Sequence, residues 1–242
     1  MSTTSLADLW ANADSVVVLT GAGMSTDSGI PDFRGPNGLW TKNPNAAAMF
    51  DIDTYVADPE VRRQAWEGRR NHAAWTAQPN DGHRALVDLQ QAGRLGAIIT
   101  QNIDGLHQSA GATDVLELHG TIWEIECLSC GDRTPTQVTM QREEDDPRCL
   151  KCDGILKTAT ISFGQNLDPN VLDAAIDAAR QADLLVAIGT TLTVMPAAAL
   201  ADMPRHLAII NADPTPYDGQ ADVVVAEPIG QTLPAVRDLL LA

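Results

Sequence analysis

Short apolar runs that stop abruptly at polar or glycine-rich loops constrain this chain most. Val16–Leu19 runs into Gly21 and Gly23, and Ala97–Ile99 into Thr100-Gln101-Asn102-Ile103-Asp104. Leu184–Ile188 meets Gly189-Thr190-Thr191, Leu207–Ile210 meets Asn211, and Val223–Val225 meets Ala226. Continuous apolar runs of this length suit parallel strands covered on both faces. Helix-like stretches at Gly82–Ala92, Pro169–Ala182 and Thr232–Leu241 accompany them. The alternation predicts an α/β fold built on a Rossmann-like, doubly wound parallel sheet. In such sheets ligands sit at the carboxyl ends of the strands, where these loops fall.

The loop after the first run, Thr20–Gly35, is the densest in candidate chemistry. Gly21 and Gly23 allow a tight turn and the close approach of a ligand to backbone. A strand-to-glycine turn of this kind commonly holds a dinucleotide pyrophosphate. Two dehydrogenase signals are missing, however. Thr26 stands where a third glycine belongs, and no ribose-binding acid follows about twenty residues on. The chain continues instead as Ser28-Gly29-Ile30-Pro31-Asp32-Phe33-Arg34-Gly35. This pattern points to a nucleotide that is consumed rather than one that shuttles hydride.

Two segments interrupt the alternation. Residues 36–81 are polar and helical in character, with Trp40, Trp66 and Trp75. Residues 121–158 carry all four cysteines and the acidic run Glu143-Glu144-Asp145-Asp146, which reads as a solvated loop. Both read as insertions that form a smaller zinc-binding and helical lobe. The expected division is 1–35, 82–120 and 159–242 for the nucleotide-binding domain, 36–81 for the helical insertion and 121–158 for the metal module. Cys127-x2-Cys130 and Cys149-x2-Cys152 have the spacing of a tetrahedral zinc site with four thiolate ligands. A redox dithiol or two disulfides would use the same residues, and a reducing compartment favours the metal. With no open coordination position, such a zinc is structural. It supplies folding energy that a short polar segment lacks.

Lys plus Arg is 16 and Asp plus Glu is 32, a formal net charge of −16. So acidic a surface argues against nucleic acid and anionic membrane as partners and favours basic ones, such as lysine-bearing segments. The start, MSTTSLADLW, lacks the basic and apolar regions of a signal peptide. The apolar stretch 184–201 contains Gly189, three threonines and Pro196, which suits a buried strand and loop rather than a membrane span. The expectation is a soluble, cytoplasmic protein acting as a monomer.

The ordered motifs carry more. After the glycine loop come TQNIDGLH (Thr100–His107), LHG (Leu118–Gly120), the paired Cys-x-x-Cys, SFG (Ser162–Gly164), GTTLTVMPA (Gly189–Ala197) and Ile210-Asn211. Together, from about Val16 to Ala226, they resemble the sirtuin family of NAD-dependent protein lysine deacylases. The resemblance implies NAD as co-substrate, one structural zinc and acyl-lysine protein substrates. It implies a pyrophosphate site at Gly21, Ala22 and Gly23, and a nicotinamide pocket lined by Ile30, Asn102, Ile103 and Asp104. Pro31, Asp32 and Trp40 also contact the cofactor, Phe33 shields the reactive ribose, and Arg34 and Gln101 position it. Gly189, Thr190, Thr191, Asn211 and Ala226 serve the distal half, with Asn211 replacing the missing ribose-binding acid. Nicotinamide departs, the acyl oxygen attacks C1′, and His119, with Asn102 beside it, does the catalytic work as general base through the ribose hydroxyls. The acyl group passes to ADP-ribose. Plainer uses exist for the same residues: His119 as a core histidine, Phe33 as core, Asn102 and Asp104 as helix caps.

Substrate backbone is expected to add as a strand between Ile161–Gly164 and the region around Val194. Ile161, Phe163 and Gly164 would form its wall, although Gln165 stands where relatives carry Glu. Deacetylation is the leading activity. The tetrad Trp66-Glu67-Gly68-Arg69 is a half-match to the Tyr-x-x-Arg pair of desuccinylating and demalonylating sirtuins, and keeps an acidic acyl group open as a substrate. The same residues would also serve mono-ADP-ribosyl transfer to a protein, or a non-catalytic NAD or ADP-ribose sensor.

Overall fold

The structure is a computed structural model that describes residues 2–35, 38–42 and 49–242. The expected helical insertion includes residues 36–37 and 43–48, which lie outside the described residues. The chain opens with α1 (Thr3–Ala11), β1 (Val16–Thr20) and a 3₁₀ turn over Ala22–Ser28. Among the described residues α2 (Leu39–Lys42), α3 (Ile52–Ala57), α4 (Pro59–Arg70), a 3₁₀ turn over Ala73–Trp75 and α5 (Asp81–Gln91) follow. Next come β2 (Ile98–Thr100), α6 (Leu106–Ala110), β3 (Val115–Glu117), β4 (Gly120–Cys127), β5 (Arg133–Pro135), α7 (Thr136–Met140) and β6 (Leu156–Thr160). The chain ends with α8 (Pro169–Gln181), β7 (Leu184–Ile188), β8 (His206–Ile210), β9 (Val223–Val225) and α9 (Ile229–Leu241).

Six strands form one parallel sheet in the order β3-β2-β1-β7-β8-β9. This is the doubly wound order, and its direction reverses between β1 and β7. Alternate residues of the same strand feed opposite cores. Val16 and Val18 join α1, α5 and α9 residues such as Trp10, Leu86 and Leu233. Val17 and Leu19 join Ala175, Ala179 and Leu200 on the other face. Burial on both faces is why these strands read as unbroken apolar runs. The edge strand β3, with every residue only half-buried, gives no such signal and is found only in the structure.

The second sheet is antiparallel, β5-β4-β6, and carries the cysteines. The helical insertion packs against it. Arg62, 2 % exposed, holds Asp146 at 3.0 Å and the carbonyls of Tyr55 and Val56. Arg70 bonds the Glu144 carbonyl. The acidic run is therefore only partly solvated: Asp146 is the anion that ties α4 to the metal module.

Candidate functional site

Both glycine loops leave the sheet at the switch point, and they pack on each other. Gly21 N–H donates to the Ile188 carbonyl at 2.9 Å and Gly23 N–H to that of Gly189 at 2.9 Å. A Cβ on Gly21 would lie 2.7 Å from the Gly189 oxygen, and one on Gly23 2.8 Å from Gly189 Cα. Gly189 has φ +62° and a Cβ there would lie 2.5 Å from Met24 N. Loop-on-loop packing thus requires these glycines, whatever a ligand may also ask of them. Thr26 is not a defective glycine position either. Its Oγ1 donates to the Gly23 carbonyl at 3.0 Å and closes the 3₁₀ turn.

The TQNIDG loop folds onto this turn. Ser25 donates to Asp104 Oδ2 at 2.7 Å and lies 3.1 Å from Asn102 Nδ2. Leu106 N–H donates to Asp104 Oδ1 at 2.9 Å. Asp104 does bond the first turn of α6, and it is 4 % exposed, with burial raising its pKa against the effect of these donors. Asn102 is buried beside it. Ile30, also buried, packs with Ile103, Leu106 and Ile122 to give an apolar wall next to these polar groups. Ser25 lies inside the opening loop, where the sequence assigns it no role. Its hydroxyl joins two distant motifs, a contact that no local pattern announces.

His119 is half-buried at the end of the LHG motif, just before β4. Its Nδ1 lies 3.0 Å from the Gln101 carbonyl. A carbonyl only accepts, so Nδ1 carries the proton and Nε2 keeps its lone pair. Burial lowers the pKa of the ring, partly offset by the Gln101 bond, so it is neutral at pH 7. Gln101 is held in turn by its side-chain N–H donating to Thr190 Oγ1 at 2.9 Å. His119 is therefore no plain core histidine: its tautomer is fixed, and Gln101 ties it to Thr190 on the second glycine loop. His107, by contrast, is buried, 3.0 Å from Thr20 Oγ1, and burial pushes its pKa to about 3.

Phe33 is 37 % exposed and lies 4.9 Å from Trp40 and 5.8 Å from Phe50, while Trp40 lies 5.9 Å from Phe163. Arg34 stacks over the Trp40 ring at 4.8 Å. Asp32 braces this turn by accepting from Gly35 N–H at 2.8 Å, and Pro31 precedes it on the surface. Trp40 Nε1 is buried and has no hydrogen-bond partner among the described residues. Asn211 and Ala226 follow β8 and β9 at the same edge of the sheet, with Asn211 Nδ2 donating to the Asp213 carbonyl at 2.7 Å. Thr191 bonds Thr193 at 2.8 Å.

On the substrate side, Ile161 N–H donates to the His119 carbonyl at 2.8 Å, so the segment after β6 is tied to that residue. Phe163 bridges to Phe50 and Ile52 and its ring is exposed. Gly164 is exposed and Val194 half-buried. Trp66 is a correction. It is 2 % exposed and packs with Ile125, Cys127, Cys149 and Leu156 in the core of the metal lobe, so its indole faces no substrate. Arg62 and Trp66, four apart on α4, are buried on one face. Arg69, three residues on, is half-buried and has no carboxylate partner among the described residues. Burial draws its pKa down to about 10, against the opposing influence of the Tyr55 hydroxyl.

The four cysteines bring their sulfurs within 4.8 Å of one another. Cys127–Cys152 is 3.5 Å and Cys130–Cys149 is 3.8 Å. A zinc tetrahedron with bonds of about 2.3 Å has edges of about 3.8 Å, and a disulfide would need about 2.05 Å. The residues fit the metal, one ligand pair from each knuckle.

Fold and site together define a nucleotide-binding enzyme with a structural metal lobe. The Sir2 family model matches residues 21–196, and the chain belongs to that family. It is 50 % identical over 230 residues to "NAD-dependent protein deacetylase 2" of Streptomyces coelicolor, covering 91 % of this chain and 95 % of that protein. It is 43 % identical over 239 residues to "NAD-dependent protein deacetylase" of Rhodopseudomonas palustris, covering 94 % and 93 %. A solved Sir2 complex with a p53 peptide and NAD+ superposes with a TM-score of 0.88 at 33 % identity, covering 98 % of each chain. "Sir2 bound to acetylated peptide" superposes at 0.87 and 31 % identity, with the same coverage.

Proposed function

We infer that the protein is an NAD-dependent protein lysine deacylase that removes acetyl groups, releasing nicotinamide and passing the acyl group to ADP-ribose. The observation that carries the reading is the fixed His119 base, linked through Gln101 to Thr190 and standing beside the Ser25–Asn102–Asp104 cluster. NAD, when bound, supplies a glycosidic bond to nicotinamide whose loss opens C1′ to the acyl oxygen. Asp104 and the adjoining backbone offer an acceptor and donors to a carboxamide, which needs both when buried. Asn102 holds the ribose side of that pocket. His119 Nε2 takes a proton from a ribose hydroxyl, while the Gln101 carbonyl steadies the imidazolium that forms. Phe33, Trp40 and Phe163 keep water from the reacting carbon.

Gly21, Ala22, Gly23, Gly189, Thr190, Thr191, Asn211 and Ala226 hold the rest of the cofactor along the strand ends. Ile161, Gly164 and Val194 flank the acyl-lysine strand. The same reading carries the domain division at 35/36, 81/82, 120/121 and 158/159, supported by the two separate sheets, with β6 running across the last boundary. It places the protein in the cytoplasm as a monomer; no described helix is long and apolar enough to cross a membrane.

One observation favours a second acyl class. Arg69 is half-buried with no carboxylate partner among the described residues, and a succinyl or malonyl group would bring one. Glu67 is exposed and does not oppose it. The test is incubation with NAD and peptides carrying acetyl-, succinyl- or malonyl-lysine, followed by mass spectrometry. Acetyl-ADP-ribose and free lysine are expected, with Arg69→Met reducing turnover of the acidic acyl groups alone. ADP-ribosylated protein without acyl loss would overturn the reading. His119→Ala is expected to lower kcat about 10²–10⁴-fold, the usual worth of a general base, with zinc content unchanged.

A further inference from the structure

The loop that carries Asp104 is gripped from its outer side by Trp123 on β4. The indole Nε1–H donates to the Asp104 carbonyl at 2.8 Å. The next residue, Gly105, has φ +71°, and a Cβ there would lie 2.7 Å from Trp123 Nε1 and 3.1 Å from Cδ1. The indole thus occupies the space that any side chain at 105 would need. One residue earlier on β4, Ile122 N–H donates to the Ile103 carbonyl at 3.0 Å. Two successive carbonyls, Ile103 and Asp104, therefore face β4. The Asp104 carboxylate is meanwhile claimed by Ser25 and Leu106 N–H. Trp123 is itself wedged edge-on by Trp75, centroids 5.0 Å apart at 83°, and Trp75 Nε1–H donates to the Arg69 carbonyl at 2.5 Å.

We propose that Trp123 is a positioning residue for the nicotinamide site: by pinning the Asp104 carbonyl it sets where the Asp104 carboxylate points, and through Trp75 and β4 it ties that aim to the helical and metal lobe. The proposal rests on the reading of Asp104 as the nicotinamide-binding carboxylate. It makes Trp123 matter for one end of the cofactor and not for the peptide. A residue that only packed the lobe would move every kinetic constant together.

The test compares zinc-loaded wild type, Trp123→Phe and Asp104→Asn with NAD, free nicotinamide and an acetyl-lysine peptide. Phe keeps the ring and loses the donor. Trp123→Phe is expected to raise the inhibitory concentration of nicotinamide and the KM for NAD about fivefold, the size of one lost neutral hydrogen bond. The peptide KM should stay within about twofold and zinc content should be unchanged, while loss of the one bond lowers the melting temperature by about 2–4 °C. Trp75→Phe should shift the nicotinamide response in the same direction by less. If Asp104→Asn weakens nicotinamide and Trp123→Phe does not, the positioning role is wrong and the Asp104 reading stands. If neither substitution affects nicotinamide, the Asp104 reading falls and takes the proposal with it. A Trp123→Phe protein whose NAD and peptide constants change equally, or which loses zinc, also overturns the proposal in favour of simple packing.

Discussion

The two lobes reach stability by opposite routes. The large one stacks apolar layers on both faces of a six-stranded sheet, and strand residues such as Val18, Leu19, Ile98 and Val186 have no solvent exposure. The small one has a core of Trp66, Ile125, Cys127, Cys149 and Leu156, two of them metal ligands, plus the buried Arg62–Asp146 pair. One is held by area, which is distributed and forgiving. The other is held by a few specific links, each of which breaks at a stroke. The site lies where they meet, with His119 at the root of the strand that leads into the metal sheet.

Removing zinc is the most severe way to test this contrast. A strong chelator, or Cys127→Ala, is expected to unfold the small lobe and abolish deacylation, while hydrogen exchange in β1, β7 and β8 stays slow. Simultaneous loss of protection in both sheets would show one cooperative unit rather than two. Gly189→Ala attacks the large lobe at its loop-on-loop contact, where area does not protect it. A side chain at φ +62° against the Met24 backbone is expected to cost about 3 kcal/mol or more, read as a fall in melting temperature of about 6–12 °C.

Arg62→Met is expected to cost about 3 kcal/mol by stripping Asp146 of its closer partner, leaving only Arg148 at 3.4 Å, and by freeing the Tyr55 and Val56 carbonyls, with faster exchange confined to α3, α4 and residues 142–148. Exchange spreading through the parallel sheet would erase the distinction.

The smallest effect is acid sensitivity. Burial lowers His83 to about 4 and His107 to about 3, and their rings lie 4.9 Å apart. Both are neutral when folded, so the unfolded chain binds more protons below the ordinary value of 6.5. Stability is therefore unaffected by them above 6.5 and falls as the pH drops from there toward 4. Urea midpoints at pH 7 and 5 should differ less in His107→Gln than in wild type. His119, also lowered, predicts that activity persists below pH 6.5 before it declines.

Legibility follows the same divide. The sheet strands are readable because burial on both faces leaves an unbroken apolar run. α8 begins at the expected residue and ends one residue earlier, whereas α9 begins one turn earlier, at Ile229. The cysteine spacing and the His119 motif are readable because their chemistry is local. Trp66 is misplaced by its sequence pattern because tetrad spacing says which residues neighbour each other on a helix, not which face is buried. Asp146 reads as solvent-exposed because its partner, Arg62, lies 84 residues away.

By itself the sequence determined the doubly wound sheet, the four-thiolate site and the family, and it singled out His119 as the proposed base. Periodicity and short spacings encode these within a few residues. The tertiary structure decided the rest: that Gly21 and Gly23 make room for Gly189, that Gln101 fixes the tautomer of His119, that Ser25 joins Asn102 to Asp104, and that Trp123 holds the loop from behind. Each of these depends on groups brought together across the switch point or the lobe boundary, and contact at that range is set by packing rather than by order along the chain.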